Sequence, residues 1–462
     1  MSDQRIWGPV LRQGIPLAIG MAAHAMFNLV DLVLVGRLGQ AAIAGAHVAT
    51  VVNFLPMVLG NGLSVATLAR LSFLVGAGRM AEAGALSSRS QLWMLLFGLL
   101  LGVLGALTAV PCVDLQGVSG EARAIGIHYL VVSQLGCITM FALMQTTTTM
   151  RAVGESAVPL CLLIGTNVLN FVLALGLVFG CTPLGLPAFG APGAAYATVV
   201  ARGLGALIGY AWIARASHPL RLELRSLGGS AREVLGFFVV SLPQSAQMLV
   251  RTGLVILVTR IASDLVGESA VSALGVTTRL DTVVLFAAAG FASAATALTG
   301  NALGSGAQRR ARRVGAAAAL AAALFGAGIV GLFWWWARPI LELFVAGAGV
   351  QVVQSGVEYL SVGLFVQPLA AWAIAWSGAI HGAERMVPPL VLDAVVYGLL
   401  LVPAVLVYEG GAATPTLVGV WWILAAANLL LAALYSLYGA FGRWIEHQAA
   451  SCHLGSGGPS PS

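Results

Sequence analysis

Lysine is absent from this chain: all 23 basic residues are arginine, and charged side chains of either sign make up only 9% of the 462 residues. So little charge leaves no hydrated surface for a soluble globular domain. The five cysteines stand in neither a CxxC nor a Cys/His metal spacing, so a zinc or iron–sulfur centre has no ligand set here. A Walker A loop, an HExxH pair and a nucleophile elbow are all missing, and His24, His47 and His381 lie far apart in sequence. ATP-driven transport and intramembrane hydrolysis therefore lose their usual machinery, and no cofactor is expected. The net charge of +6 sits in short loops beside apolar runs, which points to a lipid bilayer as the partner and not to nucleic acid.

Apolar sequence fills the space that charge leaves. Hydrophobic residues make up 59% of the chain, mean hydropathy is +0.93, and 57 glycines allow helices to approach closely. Twelve apolar segments, centred near residues 25, 58, 100, 138, 168, 204, 248, 287, 324, 367, 397 and 428, predict an all-α integral membrane protein. The first segment follows a short polar start with no small-residue cleavage site, so it reads as a retained helix and not a removed signal. Arg79, Arg89, Arg151, Arg215, Arg221, Arg225, Arg232, Arg309, Arg310, Arg312, Arg313, Arg385 and Arg443 fall on one side of the resulting topology. The positive-inside rule makes that side cytoplasmic, with both termini on it and the cell inner membrane as the location. Trp334–Trp336 and Trp421–Trp422 mark the outer interface. Cys112 and Cys181 fall near the same side, which leaves a disulfide between them open.

The chain also repeats. VGAGRMAEA (Val75–Ala83) answers LGSGAQRRA (Leu303–Ala311) at a displacement of 228; Ile15–Pro16 answers Leu242–Pro243 at 227; Tyr129–Leu130 answers Tyr359–Leu360, and Pro159 answers Pro389, both at 230. Four matches in the same order predict two six-helix lobes, residues 1–215 and 233–445, as parallel internal repeats. A cytoplasmic linker covers 216–232, and the Gly/Ser/Pro-rich end, 446–462, is expected to be disordered. A monomer is expected.

Asp31 is the residue of greatest interest. It lies in GIPLAIGMAAHAMFNLVDLVLVG (Gly14–Gly36), and His24, Asn28 and Asp31 are spaced i, i+4, i+7 on one helical face. An acid inside the membrane costs roughly 2.5–3.5 kcal/mol on insertion scales, so it is usually kept to bind something; the bland alternative is a polar face bonded to a neighbouring helix. In the second half, Arg279 and Asp281 lie in the eighth segment, Asp393 in the eleventh, four residues before Tyr397, and Arg251 in the seventh. These read either as a second-lobe charge site or as structural ion pairs, Arg279 or Arg251 with a nearby acid. Met21, His24, Gln145, Phe286 and Trp376 are expected to line a substrate cavity, with Met26, Phe141, Met144, Phe291 and Trp372 as further soft or aromatic positions. Hydroxyls of Gln145–Thr149 either join that wall or cap helix carbonyls. Glu155 and Glu384, in matched loops, read as loop-to-helix contacts.

VDLVLVGRLGQAAIAG, FLVGAGR, NALGSGAQRRARR, NVLNFVLALGLVFG and FGAPGAAYATVVAR, in this order, resemble the multidrug and toxic compound extrusion family over nearly the whole chain. The resemblance implies twelve helices around a V-shaped cavity and a cation-coupled antiporter that exports organic, often cationic and amphipathic, small molecules. It implies that Asp31 binds the coupling H+ or Na+, with Asn28, Asn167 and Asn170 beside it. Prokaryotic members commonly carry Asp where Asn170 stands. One acid with amide carbonyls is a thin set for a dehydrated Na+, so the balance leans to H+. A lipid-linked oligosaccharide flippase of the same wider superfamily is the alternative, disfavoured by twelve segments and by only Arg202, Arg251 and Arg279 within them.

Overall fold

The computed structural model describes residues 4–180, 185, 187–222, 228, 231–266, 268–344, 350–411 and 417–445; within these, the side chains of 4–5, 26–33, 231, 255–266, 268–276, 278, 341–344, 350–353, 355, 409, 411 and 417 lie outside the description. The expected tail, 446–462, lies wholly outside it, and so do residues 223–227, 229 and 230 of the expected linker.

All regular structure among the described residues is helical. The helices are α1 (Gln4–Gly36), α2 (Gln40–Gly76), α3 (Met80–Leu107), α4 (Ala109–Asp114), α5 (Gly120–Leu135), α6 (Cys137–Ala152), α7 (Ala157–Phe179) and α8 (Ala191–Ile213). They continue as α9 (Ala231–Val266), α10 (Glu268–Gly304), α11 (Gln308–Trp335), α12 (Ala337–Phe344), α13 (Val350–Gly382), α14 (Val387–Asp393), a π-helical stretch (Ala394–Leu401), α15 (Val402–Gly411) and α16 (Leu417–Phe441). Among the described residues ten spans are long and apolar enough to cross a membrane, and α5 with α6, bent by 41°, makes an eleventh. α1, 33 residues long, carries the first of the expected twelve segments.

Each element follows from local chemistry. Pro9, Pro16, Pro56, Pro243 and Pro368 all lie inside long helices. Membrane helices tolerate this because neighbours re-satisfy the freed carbonyls. The fourth segment, continuous in hydropathy, breaks at Gly136, where a Cβ would sit 2.1 Å from Val199 of α8. The eleventh is interrupted by the π-helical stretch. Pro403 has no N–H to offer the carbonyl of Leu399, and the wider i→i+5 bonding ends just before it.

The repeat is visible in backbone hydrogen bonds. Gly78 (φ 73°) and Gly306 (φ 75°) occupy the same left-handed turn. Gly78 N–H bonds Val75 O at 3.1 Å and Gly306 N–H bonds Leu303 O at 3.0 Å; Arg79 N–H reaches Leu74 O and Ala307 N–H reaches Ala302 O. The turns around Gly154 and Glu384 match in the same way at a displacement of 230, with Glu155 N–H to Met150 O and Arg385 N–H to Ile380 O.

The chain divides into two compact units that interleave in sequence. One holds Ile19–Thr67 and Met80–Ser245; the other holds the residues up to Ala18, Leu68–Arg79, and everything from Ala246 onward. In the first, α7 packs on α8, α3 on α6, and α6 on α8. In the second, α10, α11 and α13 pack on one another and α16 packs on α13. Helices α1, α2 and α9 contribute to both, so the units do not follow the sequence halves.

Candidate functional site

The first polar cluster lies in the unit built on α3–α8. His24 of α1 is half-buried, and its Nδ1 lies 3.1 Å from Asn167 Oδ1 of α7. One turn on, Asn170 Oδ1 accepts the Thr198 hydroxyl of α8 at 3.1 Å. Asn167 and Asn170 are each 7% exposed, i and i+3 on one face of α7. Arg202, one turn beyond Thr198, is within electrostatic reach of His24. Three helices thus bring an imidazole, two carboxamides, a hydroxyl and a guanidinium together inside apolar spans, where bare polar groups would be costly. Asn28 and Asp31 share the His24 face of α1 by backbone register; their side chains lie outside the described residues.

The second cluster lies in the other unit. Asp393, fully buried at the end of α14, takes Arg251 Nε at 2.5 Å and Gln247 Nε2 at 2.8 Å on one oxygen and the Tyr435 hydroxyl at 2.9 Å on the other. Gln247 and Arg251 are i, i+4 on α9. Among the described residues no hydrogen bond joins Tyr397 to this carboxylate; its hydroxyl donates to Asn428 Oδ1 of α16 at 3.0 Å. Of the two readings given for Asp393, the contact with Arg251 is the one seen here.

Asp281 is different. It is 8% exposed on α10 and accepts the Tyr359 hydroxyl of α13, with the Gln367 amide of the same helix also donating to it. An Arg279–Asp281 ion pair was one of the sequence readings, and the structure corrects it. Residues two apart on a helix point away from each other, and Arg279 is exposed while Asp281 is buried.

The expected cavity residues are scattered. Met21 and Phe286 are half-buried. Gln145 is fully buried between α6 and α3, its amide donating to Ser90 Oγ at 2.7 Å. Thr146, Thr147 and Thr148 bond helix carbonyls one turn back, which is the capping alternative. Trp376 is packed over Gly315 and Gly439, 3% exposed. Glu155 accepts the Trp212 indole at 3.1 Å and Glu384 pairs with Arg70 at 3.2 Å, both loop-to-helix contacts. Cys112 is free, while Cys181 lies outside the described residues. Sequence reasoning missed Thr198, Gln247, Tyr359, Gln367, Asn428 and Tyr435. Only Gln247 carried a signal, its i, i+4 spacing to Arg251.

Polar clusters buried in a duplicated helical membrane fold call for comparison with known proteins. The MatE family model matches twice, over residues 16–175 and 243–406. The chain belongs to the MatE family. The two matches begin 227 residues apart (243 − 16) and end 231 apart (406 − 175), the displacement already seen in the paired turns. Among MatE relatives, the probable multidrug resistance protein YpnP of Bacillus subtilis is 25% identical over 95% of this chain and 96% of its own. The probable multidrug resistance protein NorM of Rhizobium meliloti is 27% identical, covering 83% and 82%. A MOP superfamily transporter from Pyrococcus furiosus shares the fold, with a TM-score of 0.82 at 24% identity over 94% of this chain and 95% of that one. As a MatE protein the chain is a multi-pass membrane transporter and not an enzyme.

Proposed function

We propose that this transporter is a secondary active antiporter of the inner membrane that exports small organic, often cationic and amphipathic, compounds in exchange for H+. The carrying observation is the cluster of α1, α7 and α8, in which His24 meets Asn167 and Asn170 meets Thr198. These groups lie on α1, which carries Asp31, on α7, which carries Asn167 and Asn170, and on α8, which carries Thr198. The names of the relatives, multidrug resistance proteins, support the substrate class.

In this reading Asp31, with Asn28, Asn167 and Asn170, forms the coupling site. Deprotonated, it holds a lipophilic cation by charge attraction, which is far stronger at low dielectric than in water. Protonation from outside removes that attraction and biases the two lobes toward release, so alternating access links outward substrate to inward protons. Carboxamides in place of a second acid favour H+ over Na+, which wants several oxygen ligands. The protein works as a monomer with both termini cytoplasmic.

The test is transport in proteoliposomes with ΔpH and ΔNa+ imposed separately. We expect ΔpH alone to drive ethidium or norfloxacin export, and Asp31→Asn to reduce it to the protein-free leak while the protein remains inserted. Undiminished ΔpH-driven export by Asp31→Asn would refute the mechanism, and export driven only by ΔNa+ would refute the choice of ion.

A further inference from the structure

The unit built on α10, α11 and α13 contains two buried acids in opposite circumstances. Asp393 has a guanidinium on it and a full set of donors. Asp281 is nearly as buried, yet no cation pairs with it among the described residues. Its partners are two neutral donors, the Tyr359 hydroxyl and the Gln367 amide. Neutral donors offset only part of the desolvation of an anion, whereas a proton removes the charge outright.

We propose that Asp281 is a proton-binding site in this unit, separate from the cluster on α1, α7 and α8. A proton needs only the one carboxylate, whereas a dehydrated Na+ prefers several oxygen ligands.

The location suits exchange with water on one side of the membrane. Leu280 packs with Ala337 of α12 and Leu360 of α13, next to the exposed Trp334–Trp336. The Tyr359 ring that covers the carboxylate stacks edge-on against Trp421 of α16, centroids 4.8 Å apart. The far end of α10, Gly304, is 23 residues away (304 − 281), about 35 Å along a helix, and leads to the Arg309–Arg313 run. Among the described residues, Tyr408 of α15 lies against Gly419 near this end, and the charged groups there are Arg279 on α10, Arg338 on α12 and Glu358 on α13. All three are exposed, and Glu358 accepts the Gln354 amide. His381 and Tyr435 belong to the Arg251–Asp393 region.

The inference goes beyond the coupling site proposed above and is tested without substrate, in an Asp31→Asn background, so either can fail alone. Infrared difference spectra in lipid report the carbonyl stretch of a protonated carboxyl. Titrated between about pH 5 and about pH 9, Asp31→Asn should keep one such band that fades as pH rises, and adding Asp281→Asn should abolish it. A band that survives the second substitution, or none in the single variant, overturns the proposal. If the double variant does not fold, carbodiimide labelling of the folded Asp31→Asn protein decides. An adduct at Asp281 that declines with rising pH supports the site; no adduct, or one at Asp393 alone, overturns it.

Discussion

Glu384 stands where the first repeat has Gly154, and it holds a conformation suited to glycine. It is the one non-glycine residue with positive φ, 59°, among the described residues. A left-handed conformation costs an L-residue about 1–2 kcal/mol. In return its carboxylate meets Arg70 Nη1 at 3.2 Å, a pair partly open to solvent and worth about 0–1 kcal/mol. Strain and ion pair nearly cancel, so Glu384→Gly should melt within a degree or two of the parent, about 0–1 kcal/mol to either side, whereas Glu384→Ala keeps the strain, loses the pair and should melt lower. Thermal unfolding in detergent reads this order, and Glu384→Gly melting below Glu384→Ala would contradict it. His218, in the segment after α8, gives a pH dependence. It is buried, its Nδ1 accepts the Leu220 N–H at 3.1 Å, and burial pushes its pKa below the ordinary 6.5 against the opposing pull of Glu155. The unfolded chain therefore takes up the proton first as pH falls, and the stability tied to neutral His218 is complete above 6.5 and is lost below it. Between about pH 7 and about pH 5 the parent should lose melting temperature faster than His218→Asn, whose carbonyl can still accept from Leu220. Equal slopes would remove His218 from the account.

At the scale of elements, glycine decides how closely helices meet. Gly304, at the end of α10, faces the α2 backbone; a Cβ there would lie 2.1 Å from Phe73 O and 2.7 Å from Ala77 N. Gly165, in the middle of α7, is exposed and has open space around it. Gly304→Ala must push backbone aside and should cost about 1–3 kcal/mol, while Gly165→Ala should stay within about 0.5 kcal/mol of the parent. Melting temperatures of the two variants compare directly, and equal values would mean that the crossing yields without cost. The helices themselves were legible in the sequence because long apolar runs with few charges have no other stable form in a bilayer. The break at Gly136 and the π-helical stretch after Asp393 were not legible, since hydropathy is continuous across both. The candidate site was half legible. Polar residues inside apolar runs, such as His24, Asn167, Asn170, Asp281 and Asp393, stand out in one dimension. Their partners Thr198, Tyr359 and Tyr435 come from distant helices and meet them only after packing.

For the whole molecule, duplication explains more than any single residue. Gly76 lies against Asn301 and Gly304 against Phe73, contacts that exchange when residues are displaced by 228; Gly62 lies against Ser245 and Gly290 against Ala18, which exchange at 227–228. The repeat was readable from the paired turns, and the double family match has the same displacement. Which unit each half-helix joins was not readable. Gly14, Gly76 and Gly290 set that by letting α1, α2 and α10 touch, and a hydropathy profile is blind to partner choice. Topology is a global property too, and it rests on arginine placement. The first turns of α11, just after α10, carry Arg309, Arg310, Arg312 and Arg313, while the start of α5 carries only Arg123, bonded to Asp114 at the end of α4. Each arginine translocated outward would oppose the membrane potential by about 2.3 kcal/mol per 100 mV, so the four-arginine end should stay in the cytoplasm. Single cysteines at Gln308 and Gly117, both exposed positions, test this in a background without the native cysteines. A membrane-impermeant maleimide added to intact cells should label Gly117→Cys and spare Gln308→Cys until the membrane is opened. The reverse pattern would invert the protein, placing Asp281 toward the cytoplasm and removing the outward proton supply that its position implies.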